Sequence, residues 1–339
     1  MTAEDGVIHI ALIGAGRIGK MHADCLRAHP RFYLAAVCDR DLQLANDAAA
    51  ESIGDIAVAD NADDILADDN ITALLVASPN DSHCDYIERA TGKAVLCEKP
   101  VAESAARAKQ CANVIAAKKE PVQIGFNRRH DPGHSQLQKQ VMNGDIGKLE
   151  KLIITSRDPG LPDEKILRNS GGLFADMMIH DFDMARFVLA EEPVWVFAAG
   201  AALTSPLVAD IGDIDTAMVV LQTASGVLCT INCSRRAAYG YDQRVEAFGG
   251  EGMLISENRT ATNVQMHTAK ATSAKEPLLH FFIDRYEDSY RRQLDAFADA
   301  IAGKHPPMPT LEDGRRAQTL AEAAALSMRE KRPIAVDAG

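Results

Sequence analysis

The sequence predicts an α/β chain in two parts, a doubly wound parallel sheet first and then an α+β domain built on a mainly antiparallel sheet. Three observations carry this expectation. From Val7 to Gly125, apolar strand-like runs alternate with helical stretches, the pattern of a parallel sheet covered on both faces. Beyond Gly125, strand-like runs outnumber helices. A glycine loop, Gly14-Ala15-Gly16-Arg17-Ile18-Gly19, joins the first strand directly to the first helix, the setting a dinucleotide-binding loop requires.

Val7 to Ile13 is a continuous apolar run, as a strand buried on both faces should be. A helix from about Gly16 to His29 and a second run, Tyr33 to Cys38, complete a strand, helix, strand unit. Helix Leu42 to Ser52, strand Ala73 to Ala77, helix Asp81 to Thr91, strand Ala94 to Cys97, helix Ala102 to Lys118 and strand Val122 to Gly125 continue the alternation. This places one domain over 1–125 and a second over 126–339. The second should have strands at Leu149 to Ser156, Val194 to Leu203, Thr216 to Gln222, Val227 to Cys233 and Arg244 to Phe248. Thr223 to Gly226 form a four-residue hairpin loop between the third and fourth of these. A helix over 172–190 is expected to pack on the sheet. Tyr286, Tyr290, Leu294, Phe297 and Ile301 recur every three or four residues, which marks an amphipathic helix that Gly303 stops. Thr310, with Asp313 three residues later, caps a final Ala-rich helix.

Composition excludes some classes of function. A formal net charge of -12, with no compensating Lys/Arg block, repels a phosphate backbone, so no nucleic-acid partner is expected. No apolar run approaches the roughly 18 residues of a membrane span, so no membrane partner is expected either. The acidic start Thr2-Ala3-Glu4-Asp5 is wrong for a secretory signal. A cytoplasmic protein is therefore expected. Its seven cysteines, an odd number with no C-x-x-C pair, read as reduced core thiols.

The glycines of the loop let backbone N–H groups approach a pyrophosphate at the helix N-terminus. Asp39 lies 39 − 19 = 20 residues past the last glycine, where a carboxylate accepts from an adenosine ribose hydroxyl. Arg40 beside it could instead hold a 2′-phosphate, but the carboxylate would repel that phosphate, so NAD is preferred to NADP. Two further loops follow strands. In Ala77-Ser78-Pro79-Asn80-Asp81-Ser82-His83, Ser78 and Asn80 can meet the nicotinamide ribose, and His83 is either a ligand or an ordinary helix-end residue. In Cys97-Glu98-Lys99-Pro100, a partly desolvated Lys99 can donate to a developing alkoxide.

Asp176 and His180 stand four apart in a stretch expected to be helical, which would put base and orienting acid on one face, with Cβ atoms about 5 to 6 Å apart. The same spacing recurs at Asp5 to His9 and Glu276 to His280. His9 lies in a strand-like run, where four residues span about 13 Å, and Pro277 interrupts the other pair.

Gly14 to Gly19, Ser78-Pro79-Asn80 with His83, Glu98-Lys99-Pro100, and Asp176 with His180 together resemble the Gfo/Idh/MocA oxidoreductases over essentially the whole chain. Within that family, Cys97-Glu98-Lys99-Pro100, Gly125-Phe126-Asn127-Arg128-Arg129, Thr155-Ser156-Arg157-Asp158-Pro159, Ile179 to Arg186 and Tyr239-Gly240-Tyr241-Asp242 are most similar to the branch that oxidises inositols at C2. The resemblance implies an N-terminal Rossmann domain, a C-terminal domain whose open sheet mediates oligomerisation, and often a tetramer. It implies NAD-dependent oxidation of a cyclic polyol such as myo-inositol, with Lys99, Asp176 and His180 as the catalytic group. Gly14, Gly16, Arg17, Ile18, Gly19, Asp39, Arg40, Ser78, Asn80, His83, Glu98 and Lys99 would then serve the cofactor. Asn127, Arg128, Arg157, Asp158, Asp183, Tyr239 and Tyr241 would meet the substrate, or else be ordinary structure, with Asp183 paired to Arg186 along the helix.

Three other readings stay open at this level. One is the same hydride chemistry on an aldose or deoxy-sugar, and another is a dinucleotide-binding sensor without turnover. A metal hydrolase using Asp176, His180 and Asp183 would lack a second histidine cluster and leave the glycine loop unexplained.

Overall fold

The computed structural model describes residues 6–52 and 54–337. The alternating runs of the first part become a six-stranded sheet, with β1 at Ile8–Ile13, β2 at Phe32–Cys38, β3 at Ala57–Ala59, β4 at Ala73–Val76, β5 at Ala94–Cys97 and β6 at Val122–Ile124. Its order is β3-β2-β1-β4-β5-β6, and every pairing is parallel. The central strands β4 and β5 are buried at all four positions, which explains why they read as unbroken apolar runs. β3, three residues long and partly exposed, carries too little pattern to be seen in the sequence. The Asp5 of the first discounted spacing lies outside the described residues, and its partner His9 is on β1.

Two compact units divide the chain. The first holds residues up to His130 together with Asp288–Arg316, and the second holds Asp131–Glu287 together with residues from Ala317 onward. The expected boundary after Gly125 therefore does not describe how the chain is shared out. Residues after 288 return to the first unit because an apolar face does: Leu294, Phe297 and Ala298 are buried in one core with Ile10, Leu12, Leu26 and Phe32. The rings of Phe297 and Phe32 stack 6.2 Å apart.

The second unit is built on a seven-stranded sheet, with β7 at Leu149–Arg157, β8 at Pro193–Ala201, β9 at Thr216–Thr223, β10 at Leu228–Ser234, β11 at Asp242–Gly249, β12 at Gly252–Ser256 and, beyond a small hairpin of β13 (Gln265–Met266) and β14 (Ala274–Lys275), β15 at Ile334–Ala335. The order is β12-β11-β7-β10-β9-β8-β15, antiparallel except where β7 lies parallel to β10. Among the described residues no helix is long and apolar enough to cross a membrane.

The helix expected over 172–190 is broken. A one-turn helix, Leu173–Asp176, is followed by Met177 and Met178 and then by a second helix, Ile179–Leu189. Met178 N–H reaches five residues back to Leu173 O (3.0 Å), and His180 N–H reaches only three back to Met177 O (3.4 Å). Asp176 and His180 therefore do not share one regular helical face. Both methionines are good helix formers, so nothing in their propensity announces the break.

Candidate active site

The glycine loop is shaped by three different constraints. Gly14 has φ +94°, and a Cβ there would sit 2.6 Å from the Ala77 carbonyl and Ser78 N. Gly19 packs its helix against the loop so closely that a Cβ would lie 1.9 Å from Gly14 O. Gly16 is different: a Cβ there would meet nothing within 4 Å. The protein does not need a glycine at that point, but a ligand approaching the backbone does. Gly16 also caps helix Arg17–Arg27 with no side-chain hydrogen bond, at a helix N-terminus, the end that favours an anion. Arg17 is exposed and Ile18 half-buried beside them. These residues fit a pyrophosphate.

Asp39, at the end of β2, is tied to this loop. Its carboxylate accepts the Ala15 N–H (2.7 Å) and the Asp41 N–H (2.9 Å), while Arg40 next to it is exposed. At the end of β4, Ser78 and Ser82 hydroxyls lie 2.7 Å apart, with Asn80 half-buried between them. His83 is buried, its Nδ1 2.7 Å from Pro100 O and its Nε2 2.9 Å from Ser78 O. Burial holds this imidazole below its ordinary range, despite both carbonyls. His83 thus lies between the two crevice loops, and a neutral ring, with its single N–H, donates to only one of these carbonyls at a time. At the end of β5, Glu98 Oε1 meets Nε2 of the buried His22 at 2.7 Å, and Oε2 accepts the half-buried Lys99's N–H at 3.3 Å.

In the second unit, Asp176 Oδ2 accepts from the Arg235 guanidinium at 3.1 Å, with the Arg235 side chain 2% exposed and Asp176 29%. Arg235 was not anticipated, because a strand-end arginine 59 residues away in sequence carries no local signal. Arg157, Tyr239 and Asp242 come together: the Arg157 Nη1–H bonds the Tyr239 hydroxyl (2.7 Å), which donates to Asp242 (2.6 Å). Arg244 and Asn258 also converge on Asp242, and these donors hold its carboxyl below the usual range although burial opposes them. Arg157 and Tyr239 are therefore fixed by a network whose centre the sequence reading had not used. Asp158 N–H is bonded to Ser234 O. Tyr241 is buried edge-on to Tyr286, with ring centroids 6.0 Å apart. Asp183 is buried 3.8 Å from Arg186, the helix pair foreseen as its structural alternative.

Asn127 and Arg128 belong to the first unit, in a short 3-10 turn that buries both. Asn127 O accepts from the Ser289 hydroxyl, and its side-chain Nδ2 is buried without a hydrogen-bond partner. Glu276, of the other discounted spacing, accepts from Thr262. Among the described residues no group of three or more His, Cys, Asp or Glu side chains is placed to hold a metal ion.

Residues 8–126 match the oxidoreductase family with NAD-binding Rossmann fold, and residues 134–255 match the GFO/IDH/MocA C-terminal domain. Inositol 2-dehydrogenase of Rhizobium meliloti (strain 1021) is 41% identical over 333 residues, which cover 97% of this chain and 99% of that protein. The crystal structure of a myo-inositol dehydrogenase from Corynebacterium glutamicum ATCC 13032 superposes with a TM-score of 0.93 at 38% identity, covering 98% of this chain and 99% of that one. That of scyllo-inositol dehydrogenase from Lactobacillus casei with bound NAD(H) and scyllo-inositol gives 0.90 at 27%, covering 97% and 98%. By two matched domains and by full-length likeness, the chain belongs to the Gfo/Idh/MocA family of oxidoreductases and carries that family's NAD-binding Rossmann domain.

Proposed function

We propose that the protein oxidises myo-inositol at C2 with NAD, giving the 2-keto product scyllo-inosose. The observation that carries this reading is the full-length likeness to proteins named as inositol 2-dehydrogenase and myo-inositol dehydrogenase, at 41% and 38% identity. A relative named as a scyllo-inositol dehydrogenase is more distant, at 27%.

NAD, when bound, supplies a nicotinamide C4 that accepts hydride. The chain supplies the rest. The loop from Gly14 to Gly19 holds the pyrophosphate, and Asp39 holds the adenosine ribose. His180 takes the proton from the reacting hydroxyl as its carbon gives up hydride, so one O–H and one C–H bond break while C=O forms. Asp176 orients the imidazole, and Arg235 holds Asp176 through its Oδ2. Lys99 steadies the negative charge that develops on the oxygen. A polyol with a hydroxyl on every ring carbon needs several fixed donors and acceptors, the role proposed for Asn127, Arg128, Arg157, Asp158, Asp183, Tyr239 and Tyr241.

We also propose that the enzyme works in the cytoplasm as a homotetramer. The second unit's sheet turns Ile153, Met218, Leu228, Phe248, Met253 and Ile255 outward, all at least 39% exposed, and apolar patches of this kind mark association surfaces. Light scattering that returns a monomer would overturn the tetramer. The substrate is tested by incubating the protein with a panel of inositols, aldoses and deoxy-sugars, with NAD or NADP, while following absorbance of the reduced nicotinamide. Turnover of glucose with none of myo-inositol would keep the family and remove the inositol reading.

A further inference from the structure

The peptide carrying Lys99 is gripped on both sides by buried histidines from elsewhere in the first unit. On the N-terminal side, Glu98 N–H continues the ladder to Val76 O at 2.8 Å, and the Glu98 side chain turns back so that Oε2 accepts the Lys99 N–H. Its other oxygen takes Nε2 of His22 at 2.7 Å. His22 is 1% exposed, and its Nδ1 is buried with no hydrogen-bond partner, so the ring proton sits on Nε2 and is donated to the carboxylate. The edge of Tyr290 closes over the ring, 5.5 Å between centroids. Gly125 completes the cage, since a Cβ there would fall 2.9 Å from Glu98 Cδ and Oε2. On the C-terminal side, Pro100 O is held by Nδ1 of His83 at 2.7 Å, and His83 is equally buried.

We propose that His22, acting through Glu98, and His83, acting through Pro100, are positioning residues that set where the Lys99 ammonium points. His22 sits on the helix that begins at the glycine loop. The buried His22–Glu98 pair therefore joins the helix whose first turn faces the pyrophosphate to the strand end that bears the lysine. Both histidines are 1% exposed. A buried pair of this kind contributes little to stability compared with what breaking it leaves unpaired, and its value here is geometric. A displacement of about 1 Å in a reacting group is enough to reduce turnover by about 10²-fold.

The inference rests on the proposed role of Lys99 in polyol oxidation, and the test has an arm that does not. His22→Phe removes the donor to Glu98 and keeps an aromatic ring, while His22→Gln keeps an N–H at nearly the same reach. His83→Phe removes the hold on Pro100. With myo-inositol and saturating NAD, His22→Phe and His83→Phe should lower kcat by about 10- to 100-fold. KM and the calorimetric Kd for NAD should stay within about threefold, and His22→Gln should recover most of the rate. The second arm uses no substrate: trace acetylation by acetic anhydride, read at the peptide level, compares Lys99 with the exposed Lys20. His22→Phe should change the ratio at least threefold, and His22→Gln should restore it. Loss of melting temperature and NAD affinity with kcat and Lys99 labelling unchanged would mean that the histidines only stabilise the fold, and the proposal falls. Should the wild type turn over no inositol, the functional reading fails, while the labelling ratio still decides the positioning. If His22→Phe does not fold, His83→Phe carries the comparison, with the same kcat, NAD and labelling readouts.

Discussion

Replacing Asp39 separates the loop contacts it makes in the structure from the ribose recognition proposed for it. Its oxygens already accept the Ala15 and Asp41 N–H groups at 2.7 and 2.9 Å, so it fixes the glycine loop before any nucleotide arrives. Asp39 is half-buried, and a carboxylate has lone pairs beyond these two bonds to offer a ribose hydroxyl. Loss of a hydrogen bond to a charged acceptor costs about 1.5 to 3 kcal/mol, which predicts NAD binding weaker by about 10- to 100-fold in Asp39→Asn. NADP responds differently. Its 2′-phosphate, about 5 Å from a carboxylate at an effective dielectric constant of about 20, is repelled by about 3 kcal/mol per unit charge, and Asp39→Asn removes that repulsion. Slackening of the loop weakens both dinucleotides alike, so the quantity to measure is the ratio of the two dissociation constants. Calorimetric titration of wild type, Asp39→Asn and Asp39→Ala should show the preference for NAD reduced at least tenfold in both variants. Asp39→Ala should bind both dinucleotides more weakly than Asp39→Asn, because it also orphans two backbone donors. Equal weakening of NAD and NADP in both variants would refute ribose recognition and leave Asp39 a loop anchor only.

Other expectations follow from single positions. His180→Ala should lower turnover by about 10²- to 10⁴-fold with the NAD dissociation constant unchanged, and near-normal turnover would remove His180 as the base. Gly16→Ala and Gly19→Ala should part company: the first meets no protein atom within 4 Å, so the ligand-free protein should melt as wild type yet bind NAD weakly, whereas the second collides with Gly14 O and should lower the melting temperature itself. Identical melting curves for the two variants would contradict this assignment of the glycines. Burial, helped by Arg129, pushes His130 down from 6.5 to about 4. The unfolded chain binds a proton that the native state refuses, so this contribution to stability is complete above about pH 6.5 and is lost as pH falls toward 4, about 3 kcal/mol in all. Urea midpoints at pH 7 and 4.5 should therefore fall less for His130→Leu than for wild type, and parallel falls would disprove the linkage.

Much of what depends on one short segment was legible in the sequence. The glycine loop could be read because each glycine answers a backbone requirement at a fixed spacing, and Asp39 because the strand and helix between fix its distance. The Thr310 to Asp313 cap forms as its spacing predicts, with Asp313 N–H donating to the Thr310 hydroxyl at 3.1 Å and Thr310 N–H to the Asp313 carboxylate at 2.8 Å. Helix Pro132–Asn143 went unread although its punctuation is local: Asp131 caps it, Pro132 opens it and Gly144 ends it at φ +79°. The Met177-Met178 break and the return of Asp288–Arg316 to the first unit had no such signal. The break sets residues of ordinary helix propensity against tertiary packing, and the return depends on which of several apolar faces Phe32 and Leu26 accept.

The same distinction runs through the site. Lys99, Asp176 and His180 could be proposed from the sequence because a proton-transfer group must be a titratable side chain in a recognisable string. The groups that hold them are another matter. Glu98 reaches His22 across 76 positions, and Asp176 reaches Arg235 across 59. Neither histidine nor arginine is unusual where it stands, since a polar residue on an amphipathic helix or at a strand end is ordinary. Burial changes their meaning. His22 at 1% exposure and Arg235 at 1% cannot be left without partners, and the partner each has taken is a carboxylate next to, or itself among, the proposed reacting groups. A sequence shows which side chains are able to do chemistry, whereas the need to satisfy buried polar groups determines which of them are held still enough to do it.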